Sequence, residues 1–177
     1  MPTRSAGLLL YRFQARPPSD PGLGGRGGPV LEVLLVHPGG PYWSRRDDGW
    51  WSIPKGEVGE GEDDLDAAER EFAEELGVPA PPGPRTPLGE VVQAGGKRVR
   101  AWAVAAELDV SAIDGGTFTI EWPPRSGRMR AFPEIDAAAW YDLDTAERKL
   151  LGGQLPLLER LVDAVASGNL PPPDAGR

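Results

Sequence analysis

The chain contains no cysteine, so neither disulfides nor thiolate zinc sites are available to it. It lacks any apolar run approaching the roughly 18 residues that span a bilayer, so no membrane-crossing helix is expected. The Ala6–Leu10 run is too short for a secretory core and has no small-residue cleavage pattern after it. The expected location is therefore the cytoplasm, with no membrane partner. A basic excess is also missing: the net charge is −8, with a pI near 4.7. Such a balance disfavours polymeric nucleic acid, which needs a basic footprint. It leaves room for a small phosphorylated substrate carried with its metal.

At 177 residues the chain reads as one domain over 1–167, followed by a Pro-rich tail over 168–177. Ser5–Phe13 and Val30–His37 have the leucine- and valine-rich pattern of buried strands. Residues 14–29 between them are full of Gly and Pro, and read as an inserted hairpin loop. Further strands are expected at Leu88–Gln93 and Val99–Leu108, around a Gly95-Gly96-Lys97 turn, and at Gly115–Trp122 and Ala137–Leu143. Pro123–Arg130 reads as a basic loop. A short helix over Thr145–Leu151, capped by Asp144, and an amphipathic one over Gln154–Ala166 complete the chain.

The most informative stretch is GEVGEGEDDLDAAEREFAEELGV, residues 56–78. Asp63–Leu76 reads as a helix, with acid at its start, Gly77 at its end and Pro79 beyond. At about 100° per residue, Leu65, Ala68, Phe72 and Leu76 form one apolar stripe, and Glu71, Glu74 and Glu75 share another face. Like charges three or four apart cost about 0.2–0.5 kcal/mol per pair. A solvated face tolerates that repulsion, and a divalent cation converts it into a gain, because Mg²⁺ and Mn²⁺ prefer carboxylate oxygen.

The spacing decides between those alternatives. Gly56, Glu62, Arg70-Glu71, Glu74-Glu75 and Gly77 fix seven positions. At about 7% usage each, a chance match is on the order of 1 in 10⁸ per starting point. The pattern is the Nudix box, and the chain resembles the Nudix hydrolase superfamily. Phe72 stands where that family more often has an aliphatic residue.

The resemblance implies an α/β/α sandwich around a mixed sheet, consistent with strands alternating with three helices. It implies Glu71, Glu74 and Glu75 as ligands of Mg²⁺ or Mn²⁺, with the Lys55 carbonyl as a further one. Arg70 would hold a box glutamate, Glu62 would support the loop, and Gly56 and Gly77 would permit its turns. Glu71 or Glu75 would take the proton from water, or a later carboxylate would, with Glu121 ranked ahead of Glu134. The implied reaction is hydrolysis of a phosphoanhydride in a nucleoside diphosphate linked to another group, most plausibly an NTP or a dinucleoside polyphosphate. A non-catalytic nucleotide sensor on the same fold is the alternative, although such modules usually lose box carboxylates and none is missing here.

WSIPKGE, residues 51–57, is similar to the W-x-x-P-K-G lead-in of family members that act on dinucleoside and diphosphoinositol polyphosphates, so Lys55 would face phosphate. Tyr42, Trp43, Trp50 and Trp51 lie within ten residues of one another, with Arg45 and Arg46 between them. Tyr42 and Trp43 are candidates for base stacking and Trp51 for the core. Lys97, Arg98, Arg100, Arg128 and Arg130 are candidate phosphate clamps. His37, the only histidine, closes a strand and suits packing better than catalysis. The sequence leaves the oligomeric state open between monomer and homodimer.

Overall fold

The computed structural model describes residues 3–15 and 28–170. Most of the inserted loop at 14–29 and the tail from 171 onward lie outside the described residues. The chain runs β1 (Arg4–Gln14), β2 (Val30–Pro38), β3 (Lys55–Glu57), α1 (Asp64–Leu76), β4 (Thr86–Val92), β5 (Arg98–Ala105), β6 (Thr117–Glu121), β7 (Met129–Pro133), β8 (Ile135–Asp142), α2 (Leu143–Lys149) and α3 (Leu155–Ala166). Six strands form one mixed sheet in the order β4-β5-β1-β2-β8, with β3 also paired to β1.

β1 is the axis of this sheet. It runs parallel to β5 along one side. On the other side its first half pairs with β3 and its second half with β2, both antiparallel. A strand covered on both faces must be apolar at every position, and alternate residues then serve opposite layers. Leu8 and Leu10 pack with Ala68, Phe72 and Leu76 of α1. Leu9 and Tyr11 pack with Ala146, Leu157 and Leu161 of α2 and α3. The unbroken leucine run is thus two interleaved half-cores.

Helix α1 begins where expected. Asp63 caps it, its carboxylate accepting the Leu65 N–H at 2.8 Å. Gly77 ends it in the left-handed conformation with φ 70°. The next layer also demands small residues there, because a Cβ on Gly77 would strike the Asp114 carbonyl and one on Gly115 the Glu75 carbonyl. This close approach lets the Leu76 and Glu74 carbonyls accept the Asp114 and Gly116 N–H groups, at 3.2 and 2.9 Å. The C-terminal end of α1 is thereby joined to the root of β6.

Several expectations are corrected. Lys55–Glu57 is a strand, too short to register as one against its glycine and charges. Met129–Pro133 is also a strand, pairing with β6 in a separate hairpin, so the basic loop is only its turn. Asp142, rather than Asp144, caps α2 by accepting the Thr145 N–H. Leu170, expected in the tail, is 8% exposed and belongs to the core beside α3. Among the described residues, no helix is long and apolar enough to cross a membrane.

Phe72 is fully buried and Val162 is 39% exposed. Phe72→Ala is expected to cost about 3–5 kcal/mol and Val162→Ala about 0.5 kcal/mol or less, both read from urea unfolding midpoints at constant slope.

Candidate active site

The loop 58–63, α1 and β3 bring the box together. Arg70 is its hub. Its guanidinium donates to Glu62 (2.8 and 2.9 Å), Glu71 (2.8 Å), Glu74 (3.1 Å) and the Glu57 carbonyl (2.9 Å). Glu62 also accepts the Gly59 N–H at 2.8 Å, closing the loop on itself. These bonds, Arg70 first, hold the Glu62 carboxyl down at about 2. Gly77 takes a positive φ at the end of α1. Gly56 does not: it lies in β3 without a positive φ, and a Cβ there would overlap the Glu71 carboxylate. Its smallness lets Glu71 lie against the strand.

Glu75 has a different partner, accepting the Lys55 backbone N–H at 2.9 Å. Burial pushes its carboxyl up from 4.5 to about 7, against the opposing pull of the Lys55 N–H and ammonium, and Glu71 and Glu134 add to the rise. Burial also lowers the Lys55 ammonium pKa, helped by Lys97 and opposed by Glu75 and Glu71. Glu134 is raised by burial, with Glu71 and Glu74 as its charged neighbours.

The two later carboxylates are thus separated. Glu134 faces the box. Glu121 sits at the far end of β6 and accepts the Gly127 N–H of its own hairpin turn at 2.6 Å. By position, Glu134 rather than Glu121 is the later carboxylate within the field of Glu71, Glu74 and Glu75. β7 was not foreseen, and that strand returns the chain to the root of the hairpin, where the Glu134 N–H donates to the Gly116 carbonyl.

Among the described residues, no three acidic or histidine side chains already converge in a metal-holding arrangement. Arg70 draws in one oxygen each of Glu71 and Glu74, and Lys55 N–H takes one of Glu75. Each carboxylate therefore keeps a second oxygen outside these bonds. Hard oxygen donors in mutual repulsion, one of them desolvated, suit a hard dication.

Of the other candidates, Arg98 pairs with Glu90 and Arg100 with Asp64, so neither is free to clamp phosphate. Trp51 is buried, as expected, and donates to Asp47. His37 is also structural, its ring bridging Asp136 (2.6 Å) and the Arg46 carbonyl (2.7 Å). Tyr42 and Trp43 are exposed, and Arg128 and Arg130 lie on the β6–β7 hairpin. The sequence reading missed Gln154. Fully buried, it accepts the Ile53 N–H and donates to Ser52, fixing the lead-in to the box. A lone Gln before an apolar helix carries no signal of that role.

A mixed sheet between helical layers, with a glycine-bounded acidic helix on one face, defines a Nudix-type α/β/α sandwich. The NUDIX domain model matches residues 23–161, and the chain belongs to that family. It is 34% identical over 151 residues to an 8-oxo-(d)GTP phosphatase of Mycolicibacterium smegmatis, an alignment covering 83% of this chain and 37% of that protein. It is 31% identical over 125 residues to an octanoyltransferase of Myxococcus xanthus, covering 70% of this chain and 30% of that one. The matched part of the chain therefore spans only 37% and 30% of the length of these curated relatives. In fold it is similar to a mutT/nudix family protein from Listeria innocua, with a TM-score of 0.59 at 20% identity over 96% of this chain and 98% of the other.

The raised Glu75 carboxyl fixes the sign of a pH effect. The folded state holds this proton more tightly than the unfolded chain, so metal-free stability falls as pH rises from about 4.5 to about 7. Glu75→Gln is expected to raise the metal-free melting temperature at pH 8 and to leave it nearly unchanged at pH 4, read by differential scanning calorimetry in chelator.

Proposed function

We propose that the chain is a divalent-metal-dependent pyrophosphohydrolase. In this reading it cleaves a phosphoanhydride of a nucleoside diphosphate linked to another moiety, with an NTP or dinucleoside polyphosphate as substrate. The carrying observation is that the Glu71, Glu75 and Glu134 carboxylates lie within one another's electrostatic field, with Glu75 desolvated and its carboxyl raised to about 7. The name of the mycobacterial relative, a phosphatase of an oxidised nucleoside triphosphate, supports a nucleotide substrate. The absence of cysteine suits a cytoplasmic setting.

Glu71, Glu74 and Glu75 would hold Mg²⁺ or Mn²⁺, with the Lys55 carbonyl as a further ligand. When bound, the ion supplies charge neutralisation at phosphate oxygens and lowers the pKa of water. The protein's own groups do the rest. Arg70 and the Lys55 N–H each hold a carboxylate oxygen in place, which fixes where the remaining oxygens sit. The Lys55 ammonium, with Glu71 and Glu75 in its field, is placed to meet a phosphate. Glu134, raised by burial and by the box carboxylates, would accept a proton from the attacking water. Glu121, bonded within its hairpin, is the weaker candidate for that role.

Turnover of a panel of nucleoside triphosphates and dinucleoside polyphosphates with Mg²⁺, with products identified, tests this reading. Release of nucleotide fragments is expected, and metal binding with no turnover on any compound would overturn it in favour of a sensor. Glu134→Gln is expected to lower kcat roughly 10²–10⁴-fold, whereas Glu121→Gln leaves it essentially unchanged. A Glu75→Gln variant is expected to lose Mn²⁺ affinity in titration calorimetry.

A further inference from the structure

Gln154 is fully buried, and both ends of its amide are spent on one stretch of chain. Its Oε1 accepts the Ile53 N–H at 3.0 Å, and its Nε2 donates to the Ser52 Oγ at 3.2 Å. The Ser52 hydroxyl in turn donates to the Ile53 carbonyl at 2.6 Å. A buried amide that needed only partners could take them from any nearby backbone. Gln154 takes them from two consecutive residues, 102 and 101 positions away, in the lead-in to the box.

These bonds complete a ladder that the backbone leaves unfinished. Residues 149–151 run parallel to Trp51, with the Trp51 N–H donating to the Lys149 carbonyl at 3.0 Å and the Leu151 N–H to the Trp51 carbonyl at 2.8 Å. The next rung of a parallel ladder would take the Ile53 N–H to the Leu151 carbonyl. That carbonyl instead accepts the Gln154 N–H at 2.8 Å, because the chain enters a 3₁₀ turn at Gly152–Gln154. The Gln154 side-chain carbonyl stands in for the missing acceptor. On the other edge, Ser52 exchanges two 2.9 Å bonds with Val36 of β2, which leaves the Ile53 N–H pointing away from β2.

Beyond Ile53 the chain has little slack. Pro54 fixes its own φ, and its carbonyl accepts the Leu8 N–H of β1 at 3.1 Å. Lys55 follows directly, giving its N–H to Glu75 at 2.9 Å and opening β3 opposite Gly7. A Cβ on Gly7 would stand 2.5 Å from the Pro54 carbonyl oxygen, so β1 lies hard against this stretch. A displacement at Ile53 therefore passes on to Lys55.

We infer that Gln154 is a positioning residue for the box. Acting through Ile53 and Pro54, it holds Lys55 in register with Glu75. Gln154 opens the α3 layer, which Leu157 and Leu161 anchor in one half-core, whereas Glu75 belongs to the helix packed on the other. The seating of α3 is thus coupled across the sheet to the acidic cluster. This deepens the hydrolase reading and rests on it for the roles of Lys55 and Glu75 as metal ligands.

Gln154→Met keeps the length of the side chain and removes both of its hydrogen-bonding groups. In metal-free protein, amide hydrogen exchange followed by NMR is expected to accelerate at Lys55 at least about tenfold relative to Phe72 in α1, as for a local opening that spares the helix. The Mn²⁺ dissociation constant from titration calorimetry is expected to rise roughly 10–100-fold, as when the outer partner of a ligand is lost. Leu88→Ala, which removes contacts from the same half-core and leaves Gln154 bonded, is expected to lower the melting temperature and change neither reading. All variants are compared well below their melting temperatures. Lys55 and Phe72 exchange that accelerate in step overturns the positioning role. So does an unchanged Mn²⁺ affinity in Gln154→Met, or an equal loss of affinity in Leu88→Ala. Should Gln154→Met not fold, Ser52→Ala, which strips the Nε2 acceptor, is expected to move both readings the same way by a smaller factor, and no change in it overturns the role. Wild-type protein that takes up no Mn²⁺ would sink the hydrolase reading, and the metal-free exchange ratio would still decide the part played by Gln154.

Discussion

Three carboxylates within one and a half turns of a helix repel one another, and the Arg70 guanidinium makes that arrangement tolerable. It takes one oxygen each from Glu71 and Glu74, both from Glu62, and the Glu57 carbonyl besides. A planar fork with five donors can do this, whereas a lysine ammonium could not reach so many acceptors in fixed directions. The helix, the loop before it and β3 are thereby joined at a single cation. Glu75, beyond its reach, is left with a backbone N–H and a raised pKa.

That local arrangement depends on backbone approach as much as on charge. Gly56 has no side chain because Glu71 occupies the space a Cβ would take. Gly77 and Gly115 are bare because the end of α1 and the start of the β6 segment touch there. The contact ties the acidic helix to a hairpin that is otherwise outside the main sheet, and it brings Glu134 back to the carboxylates. Stability and site geometry share these contacts, so the glycines serve both.

The loop between β2 and β3 is built differently. Loop 39–50 gains little from regular structure, and is held instead by His37 on the Arg46 carbonyl and by Lys149 and the Trp51 indole on Asp47. Its aromatic residues divide accordingly. Trp51 turns into the core against Tyr141, while Tyr42 and Trp43 face outward. Aromatic residues of one short stretch thus divide between core and surface.

The box helix, its caps, the buried strands and the family were all legible in the residues, because helical period, strand alternation and the spacing of charged groups are local properties. Glu71, Glu74 and Glu75 share a face for any chain that is helical there. The choice between Glu134 and Glu121 was not legible, since both are acids near a hairpin. Only the pairing of β7 with β6 decides which returns to the box carboxylates. The engagement of Arg98 by Glu90 and of Arg100 by Asp64 was likewise settled by strand pairing and helix placement. Side-chain chemistry and periodicity are written along the chain, but which groups meet depends on strand order and close backbone contact, and those exist only after folding.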